Sequence, residues 1–169
     1  MKTAAQQKGF TLIELLVVIG ILAILFSIVL IAINPAKQFG QANDTKRRSD
    51  TLQILNTIHQ YVAEHAGILP TGLGDGKTAI PVADIGNGSG MIDLCDLLTP
   101  TYISALPVDP AVSGGQTAGV AKPAGEALTK SDCDGHTYDS GYQVAVDANG
   151  RVTVSASHAV GTTPISITR

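Results

Sequence analysis

The stretch GFTLIELLVVIGILAILFSIVLIAI, residues 9–33, decides how this chain is organised. Its last nineteen residues, Leu15 to Ile33, carry no charge, and only Gly20 and Ser27 interrupt the aliphatic and aromatic side chains. A helix of that length is about 28 Å long, close to the hydrocarbon thickness of a bilayer. Because it is apolar on every side, the helix is predicted to lie in lipid or among copies of itself.

A short basic leader, MKTAAQQK, precedes this helix at residues 1–8. An ordinary signal peptide is cleaved after its apolar stretch, which is then discarded. Here the most favourable break, between Gly9 and Phe10, comes before the apolar stretch. Cleavage there would remove residues 1–9 and leave the helix on the mature protein. Lys2 and Lys8 are expected to keep this end cytoplasmic, so that the rest of the chain lies outside.

The string GFTLIE at residues 9–14 resembles the processing motif of type IV prepilins and pseudopilins. The resemblance implies cleavage after Gly9 by a prepilin peptidase, N-methylation of Phe10 and polymerisation into a filament. It also implies an inner-membrane assembly platform and an assembly motor as partners. The subunit would be held in membrane lipid before assembly and on the cell surface afterwards. The alternative is a plain single-pass anchor in which FTLIE occurs by chance.

Glu14 is the only acid in this apolar stretch. A charged carboxylate costs about 3 kcal/mol at the centre of a membrane-spanning helix and less towards its edge, so it needs a partner. Cleavage would create one, because the new α-amino group of Phe10 lies one helical turn away and stays protonatable after methylation. We expect Glu14 of one subunit to pair with Phe10 of its neighbour. This pair would fix the axial step from one subunit of the filament to the next. The alternative is a carboxylate that merely reaches the membrane surface.

The helix is predicted to continue as an amphipathic half over residues 34–66. Pro35 cannot donate a backbone hydrogen bond, and Gly40 makes the helix more flexible. A kink or local unwinding is therefore expected between about Ile33 and Gly40. Apolar side chains then recur at three- and four-residue steps and form a stripe on which a soluble domain can pack: Leu52, Ile54, Leu55, Ile58, Tyr61, Val62 and Ala66.

The charged side chains of this second half, Arg47 and Asp50 among them, are expected to face away from the stripe. The string KRR at residues 46–48 is the main basic cluster of a chain whose net charge is −3. We interpret it as a solvated, ion-paired helix face; the alternative is contact with DNA or lipid headgroups.

Residues 67–169 predict an extracytoplasmic globular domain with a small antiparallel sheet laid across the second half of the helix. Residues 68–91 are rich in Gly, Thr and Pro and predict a long loop, followed by a short helix over 92–98. Two alternating runs flank Asn149-Gly150, which is the strongest short hairpin signal. Further candidate strands are residues 136–139 and 165–168. The fold class is therefore α+β, and the resemblance implies the pilin fold.

The segment LPVDP at residues 106–110 resembles an element that pilins and pseudopilins carry before their sheet. Secretion pseudopilins usually continue with Trp-Gly, which this chain lacks. The departure favours a pilus subunit over the alternative, a pseudopilin of a type II secretion or DNA-uptake system.

Cys95 and Cys133 are the only two cysteines, and outside the cytoplasm they can form a lasting disulfide. A bond closing a loop of about 39 residues stabilises a domain by roughly 4 kcal/mol. Two buried free thiols are the alternative.

Three acids around Gly135, namely Asp132, Asp134 and Asp139, raise the alternative of a calcium site, as some pseudopilins have in this part of the fold. The EF-hand pattern fails here, because His136 and Gln143 stand where oxygen ligands belong, so a solvated acidic turn is preferred. No catalytic motif is present, so we expect neither an enzyme nor a cofactor. A membrane-anchored binding module that never polymerises remains the rival from another class.

Overall fold

The computed structural model describes residues 9–113, 116–117, 120–161 and 164–169, which form two compact units, Met1–Phe39 and Gly40–Arg169. The first unit contains the apolar helix α1, Leu12–Ile33. Helix α2, Pro35–Glu64, contributes its residues from Gly40 onward to the second unit. The chain thus forms two helices where the sequence predicted a single helix with a soft point.

A four-stranded antiparallel sheet with the strand order β1-β4-β5-β6 forms the body of the second unit. After α2 the elements are β1 Ile80–Gly86, α3 Cys95–Leu98, β2 Gln116–Thr117, β3 Val120–Ala121, α4 Lys130–Cys133, β4 Asp139–Val146, β5 Val152–Ala156 and β6 Ile165–Thr168. Strands β2 and β3 form a separate two-stranded sheet. The predicted α+β class, with an apolar N-terminal helix and a small antiparallel sheet, is confirmed.

The hairpin predicted around Asn149-Gly150 joins β4 to β5, with Val146 opposite Val152. The Asp147 carboxylate accepts hydrogen bonds from the backbone N–H groups of Asn149 at 2.8 Å and Arg151 at 2.9 Å. Gly150 has a φ of 77°, which suits glycine far better than a residue with a Cβ. Local turn chemistry therefore sets this hairpin, as the sequence indicated.

Two features of the sheet differ from the predictions. Strand β1 lies inside residues 68–91, which the composition assigned to a loop. Its sequence, IPVADIG, lacks regular alternation, and its pairing with β4 is irregular at two places, so the strand depends on its partner and not on its own pattern. Residues 136–139 do not form a separate strand, since β4 begins at Asp139. The short helix predicted over 92–98 is confined to Cys95–Leu98.

The core of the second unit lies between α2 and the sheet. Ile54, Leu55 and Ile58 are fully buried and share one cluster with Val144 and Val154 from the sheet. Each such side chain contributes about 2 kcal/mol on burial. The cluster also includes residues from the loops and short helices, among them Leu73, Leu94, Leu98, Leu106 and Leu128.

The buried stripe of α2 is rotated from the one that the sequence predicted. Leu52 is 37% exposed and Ala66 is exposed, while Arg47, Asp50 and Thr51 are buried. The predicted outward orientation of Arg47 and Asp50 is therefore wrong. The physical reason is that these charges find buried partners on the opposite side of the core, which hydropathy cannot register.

Candidate processing and assembly site

The Gly9–Phe10 bond lies just before α1, in backbone that is not helical. Phe10 is 91% exposed, and no other part of the described chain comes within 4 Å of a Cβ placed on Gly9. A protease needs an accessible bond outside regular structure. The geometry of the bond therefore suits proteolysis, although residues 1–8 of the predicted leader lie outside the described residues.

Helix α1 begins with a capping box made by Thr11 and Glu14. The Glu14 carboxylate accepts hydrogen bonds from the Thr11 backbone N–H at 2.8 Å and the Thr11 hydroxyl at 2.7 Å. In return, the Glu14 N–H donates to the Thr11 hydroxyl oxygen at 3.3 Å. Both partners satisfy groups that the first turn of a helix leaves free. Glu14 thus has a role within one chain that the sequence analysis did not foresee.

The capping box uses only part of the Glu14 carboxylate. Both hydrogen bonds from Thr11 end on Oε2, and no described hydrogen bond reaches Oε1. An ionised carboxylate has about four acceptor positions, so Glu14 retains the capacity to bind a cation from another molecule. The Phe10 amine of a second copy is the partner that the sequence suggested, and a single chain does not test it.

None of the residues of α1 is buried. Within the described part of the chain, it is the one helix long and apolar enough to cross a membrane. The side chains of this helix touch little of their own chain, and a surface this apolar is unstable in water. Helix α1 therefore needs lipid or other protein around it.

The helix break falls at Asn34, which adopts a left-handed conformation with a φ of 41°. Pro35 is the first residue of α2, a position that tolerates a missing N–H. The interruption is narrower than the stretch from about Ile33 to Gly40 that the sequence suggested, since Pro35 and Gly40 both lie inside α2.

Gly40 has a packing role in the second unit. A Cβ at this position would lie 2.6 Å from a methyl carbon of Val160, too close for real contact. The backbone N–H of Val160 also donates to the Asp44 carboxylate, at 3.2 Å to Oδ1. Glycine therefore allows the segment after β5 to lie directly against α2, which sequence reasoning missed because the contact spans 120 positions.

A buried ion pair joins α2 to the LPVDP segment. Arg47 donates from Nε to Asp109 Oδ2 at 2.7 Å and from Nη2 to Asp109 Oδ1 at 3.0 Å. The guanidinium also contacts Asp44 Oδ1 at 2.8 Å through Nη1. Such a two-pronged geometry is the strongest arrangement for an arginine and a carboxylate. Both side chains are almost fully buried, at 2% and 0% exposed.

The surroundings of this pair fix its charge state. Burial by itself raises the pKa of Asp109, but the Arg47 guanidinium and the Ala111 N–H donate to the carboxylate and bring its pKa below the ordinary value of 3.8. The same bond, opposed by burial, raises the pKa of Arg47. Both groups are therefore charged at neutral pH.

A second polar contact joins α2 to the sheet. The Tyr142 hydroxyl donates to Asp50 Oδ2 at 2.7 Å, and the Lys46 ammonium contacts the same oxygen at 2.8 Å. Burial and then the Asp50 carboxylate raise the pKa of Tyr142, so it stays a donor. Of the three cations at residues 46–48, Lys46 and Arg47 thus form ion pairs with acids of the second unit. Lys46 and Arg48 are exposed, and Arg47 is buried.

The other predicted sites have separate outcomes. Cys95 and Cys133 form the expected disulfide, with their Cα atoms 6.1 Å apart. Asp132 instead binds Lys122 at 2.8 Å, and Asp134 binds Lys130 at 3.2 Å. Asp139 accepts the Gly141 N–H at 2.8 Å. Across the described residues these acids do not form a group able to hold a metal, so the calcium alternative gains no support.

Comparison with known families agrees with the geometry at the start of the chain. Residues 5–30 match the model of the prokaryotic N-terminal methylation motif. The chain carries the class III signal of type IV pilins. The match covers the start of the chain; it supports a pilin-like protein and points to a structural subunit. Comparisons with curated proteins and with solved structures give no match.

Proposed function

We propose that this chain is a structural subunit of a type IV pilus or pilus-like filament. The observation that carries the proposal is α1, a 22-residue apolar helix with no buried residue, which follows an exposed bond at Gly9 and lies mostly within the matched methylation motif. Prepilin peptidase cleaves after Gly9, and the freed amine of Phe10 is methylated. The processed subunit then leaves membrane lipid and joins the filament.

Copies of α1 replace lipid as the surroundings of this helix. Lipid tails are as apolar as leucine, so helices associate in a membrane through close packing and not through the hydrophobic effect. Small residues favour such packing because they let backbones approach. A Cβ on Gly20 would meet nothing within 4 Å in its own chain, which leaves this side of the helix open to a neighbouring helix.

Glu14 sets the position of each incoming subunit. Its carboxylate keeps acceptor capacity beyond the two hydrogen bonds from Thr11. In a water-free filament core, the protonated amine of a neighbour's Phe10 offsets the burial cost of the acid. A misplaced subunit leaves one charge unpaired, which costs about 3–5 kcal/mol in a buried site. The pair therefore selects one axial step.

The second unit lies outside the cytoplasmic membrane and becomes the surface of the filament. An assembly platform and an assembly motor in the inner membrane extract the subunit. The disulfide between Cys95 and Cys133 agrees with such an oxidising location. A type II secretion or DNA-uptake pseudopilin shares every step up to polymerisation and differs in where the filament ends.

The capping box allows the two roles of Glu14 to be separated. Glu14→Gln keeps an acceptor for the Thr11 N–H, because glutamine also forms capping boxes, but it removes the charge. Thr11→Ala removes the hydroxyl and leaves the charge. We expect normal trimming of both variants, loss of filaments in Glu14→Gln and retention of filaments in Thr11→Ala. Abundant filaments from Glu14→Gln would refute the charge pair.

Processing has its own test. Mass spectrometry of the mature N-terminus is expected to find Phe10 as the first residue, carrying one methyl group. Gly9→Val should retain the leader, because a branched side chain obstructs the peptidase. Electron microscopy of sheared cell-surface material then reports filaments in the wild type. An intact leader and monomeric protein in the wild type would favour the membrane-anchored binding module.

A further inference from the structure

The segment that follows α1 is fully exposed and basic. Residues 34–39, NPAKQF, contain one lysine and no acid, and every one of them is exposed. Phe39 is 71% exposed, which is unusual for an aromatic side chain in a helix. Neither the methylation motif at residues 5–30 nor the assembly role of Glu14 explains this exposed ring two residues after a lysine.

The break at Asn34 marks where the hydrocarbon layer ends. Pro35 has no N–H, so the carbonyl of Ile31 loses its ordinary helical donor. A free carbonyl costs several kcal/mol in hydrocarbon but little where water is present. Helix α1 has 22 residues and is about 33 Å long, against roughly 30 Å of hydrocarbon. Both arguments place Asn34 at the bilayer surface.

Lys37 and Phe39 then fall in the headgroup layer. They lie four and six residues beyond Ile33, or roughly 6 and 9 Å further along a helix. Helical side chains lean towards the N-terminus, so the Phe39 ring points back to the acyl chains. The long stem of Lys37 can carry its ammonium to the phosphates. The estimated depth of Lys37 and of Phe39 in the bilayer therefore agrees with what a lysine and an aromatic side chain can bind there.

We propose that residues 35–39 form an interfacial anchor, in which Phe39 lies in the headgroup layer next to the ends of the acyl chains and Lys37 binds phospholipid phosphates. The inference rests on the proposed membrane storage of the subunit before assembly. Charge favours lipid over the same segment of a second copy as the occupant, because residues 34–39 carry one lysine and no acid, so two copies repel each other whereas phospholipid phosphates attract the lysine. The anchor holds each stored subunit at one depth, with the Gly9–Phe10 bond at the opposite membrane surface.

The chain contains no tryptophan, so Phe39→Trp provides a unique fluorescent reporter. The full chain is reconstituted in phosphatidylethanolamine–phosphatidylglycerol vesicles whose acyl chains are brominated near the headgroup or near the terminal methyl. We expect blue-shifted emission from Phe39→Trp and stronger quenching by the shallow bromines. Leu25→Trp, near the middle of α1, should be quenched most by the deep bromines. Ile68→Trp, an exposed position of the second unit, should stay unquenched.

The outcomes separate this inference from the function on which it rests. Solvent-like, unquenched emission from Phe39→Trp beside deep quenching of Leu25→Trp would overturn the anchor and leave membrane storage intact. Absence of quenching at both positions would overturn membrane storage and the anchor with it. A blue shift that disappears when the protein is diluted in excess lipid would identify a second copy as the occupant and overturn the lipid assignment.

Lys37 is tested in the Phe39→Trp background. Raising the phosphatidylglycerol content of the vesicles should increase the quenching by shallow bromines while Lys37 is present. The added Lys37→Gln substitution should abolish this dependence, whereas Lys77→Gln, a matched control in the second unit, should leave it unchanged. An equal dependence in all three proteins would overturn the role of Lys37.

Discussion

Helices α1 and α2 follow one another in the chain, yet they differ in where their partners lie. No residue of α1 is buried, whereas α2 buries Arg47, Ile54 and Ile58 among others. The charged groups differ in the same way. Glu14 is capped by Thr11, three residues away, while Arg47 is paired with Asp109, 62 residues away.

The contrast shows that helix formation and helix burial are separate questions. Both segments are helical, but most of the stability of a helix in a folded domain comes from tertiary packing and not from the propensity of its residues. Helix α2 completes its packing inside the second unit. Helix α1 must complete its packing with molecules outside the chain, as the proposed filament subunit would.

The largest expected effect concerns the buried pair in the second unit. Arg47→Leu leaves Asp109 as an uncompensated buried charge and should lower the free energy of unfolding by about 4 kcal/mol. Denaturant unfolding of the second unit, followed by circular dichroism, measures the loss. Arg47→Leu with Asp109→Leu should recover most of it, because a buried ion pair can be replaced by apolar residues. If the double variant loses as much unfolding free energy as the two single variants lose together, Arg47 and Asp109 are not coupled.

A matched pair of truncations compares the two helices directly. Ile58→Ala in α2 should cost about 3 kcal/mol of unfolding free energy, since Ile58 is fully buried. Leu22→Ala in α1 should leave the unfolding of the second unit unchanged, because Leu22 is 46% exposed and in no core cluster. Both are measured in detergent by the same denaturant titration. A comparable loss for Leu22→Ala would show that α1 stabilises the second unit.

Acid should weaken the second unit through Asp109. The folded pKa of Asp109 lies below the ordinary 3.8, so this carboxylate contributes its full stability above that value and loses it as the pH falls through the folded pKa.

We therefore expect the unfolding free energy of the wild type to decrease below about pH 4, by less than the loss in Arg47→Leu. The decrease should be shallower in Asp109→Asn, whose side chain does not titrate. Denaturant unfolding at a series of pH values measures both slopes, and parallel profiles for the two proteins would exclude Asp109 as a source.

The smallest expected effect is at Gly40. Gly40→Ala gains about 1 kcal/mol of helix propensity but forces Val160 away from α2, so the net change should stay below about 1 kcal/mol. Hydrogen exchange at the Val160 amide, which donates to Asp44, should nevertheless speed up. Adding Val160→Ala should make room for the new Cβ at position 40 and restore the protection of the residue 160 amide from exchange. Unchanged exchange in Gly40→Ala would show that the close approach does not constrain this segment.

The sequence alone determined the features that depend on neighbouring residues. An uncharged run of nineteen residues defined the apolar helix, Asn149-Gly150 set the β4–β5 hairpin, and GFTLIE at residues 9–14 indicated the methylation motif that the family model matches. These features are predictable because helix periodicity, turn conformation and hydropathy are local properties.

Only the tertiary structure decided the rest. Strand β1 has no regular alternation of polar and apolar residues, and it forms because its backbone pairs with the edge of β4. Arg47 was assigned to solvent, although it stands seven residues before Ile54 on the same helix face, a spacing that could have placed it in the core. A charge is stable in the core only when a partner is buried with it. Folding of the whole unit brings Asp109 next to Arg47, so this partner could not be identified from neighbouring residues. Local pattern therefore fixed which segments become helix and hairpin, and long-range pairing fixed which charges they bury.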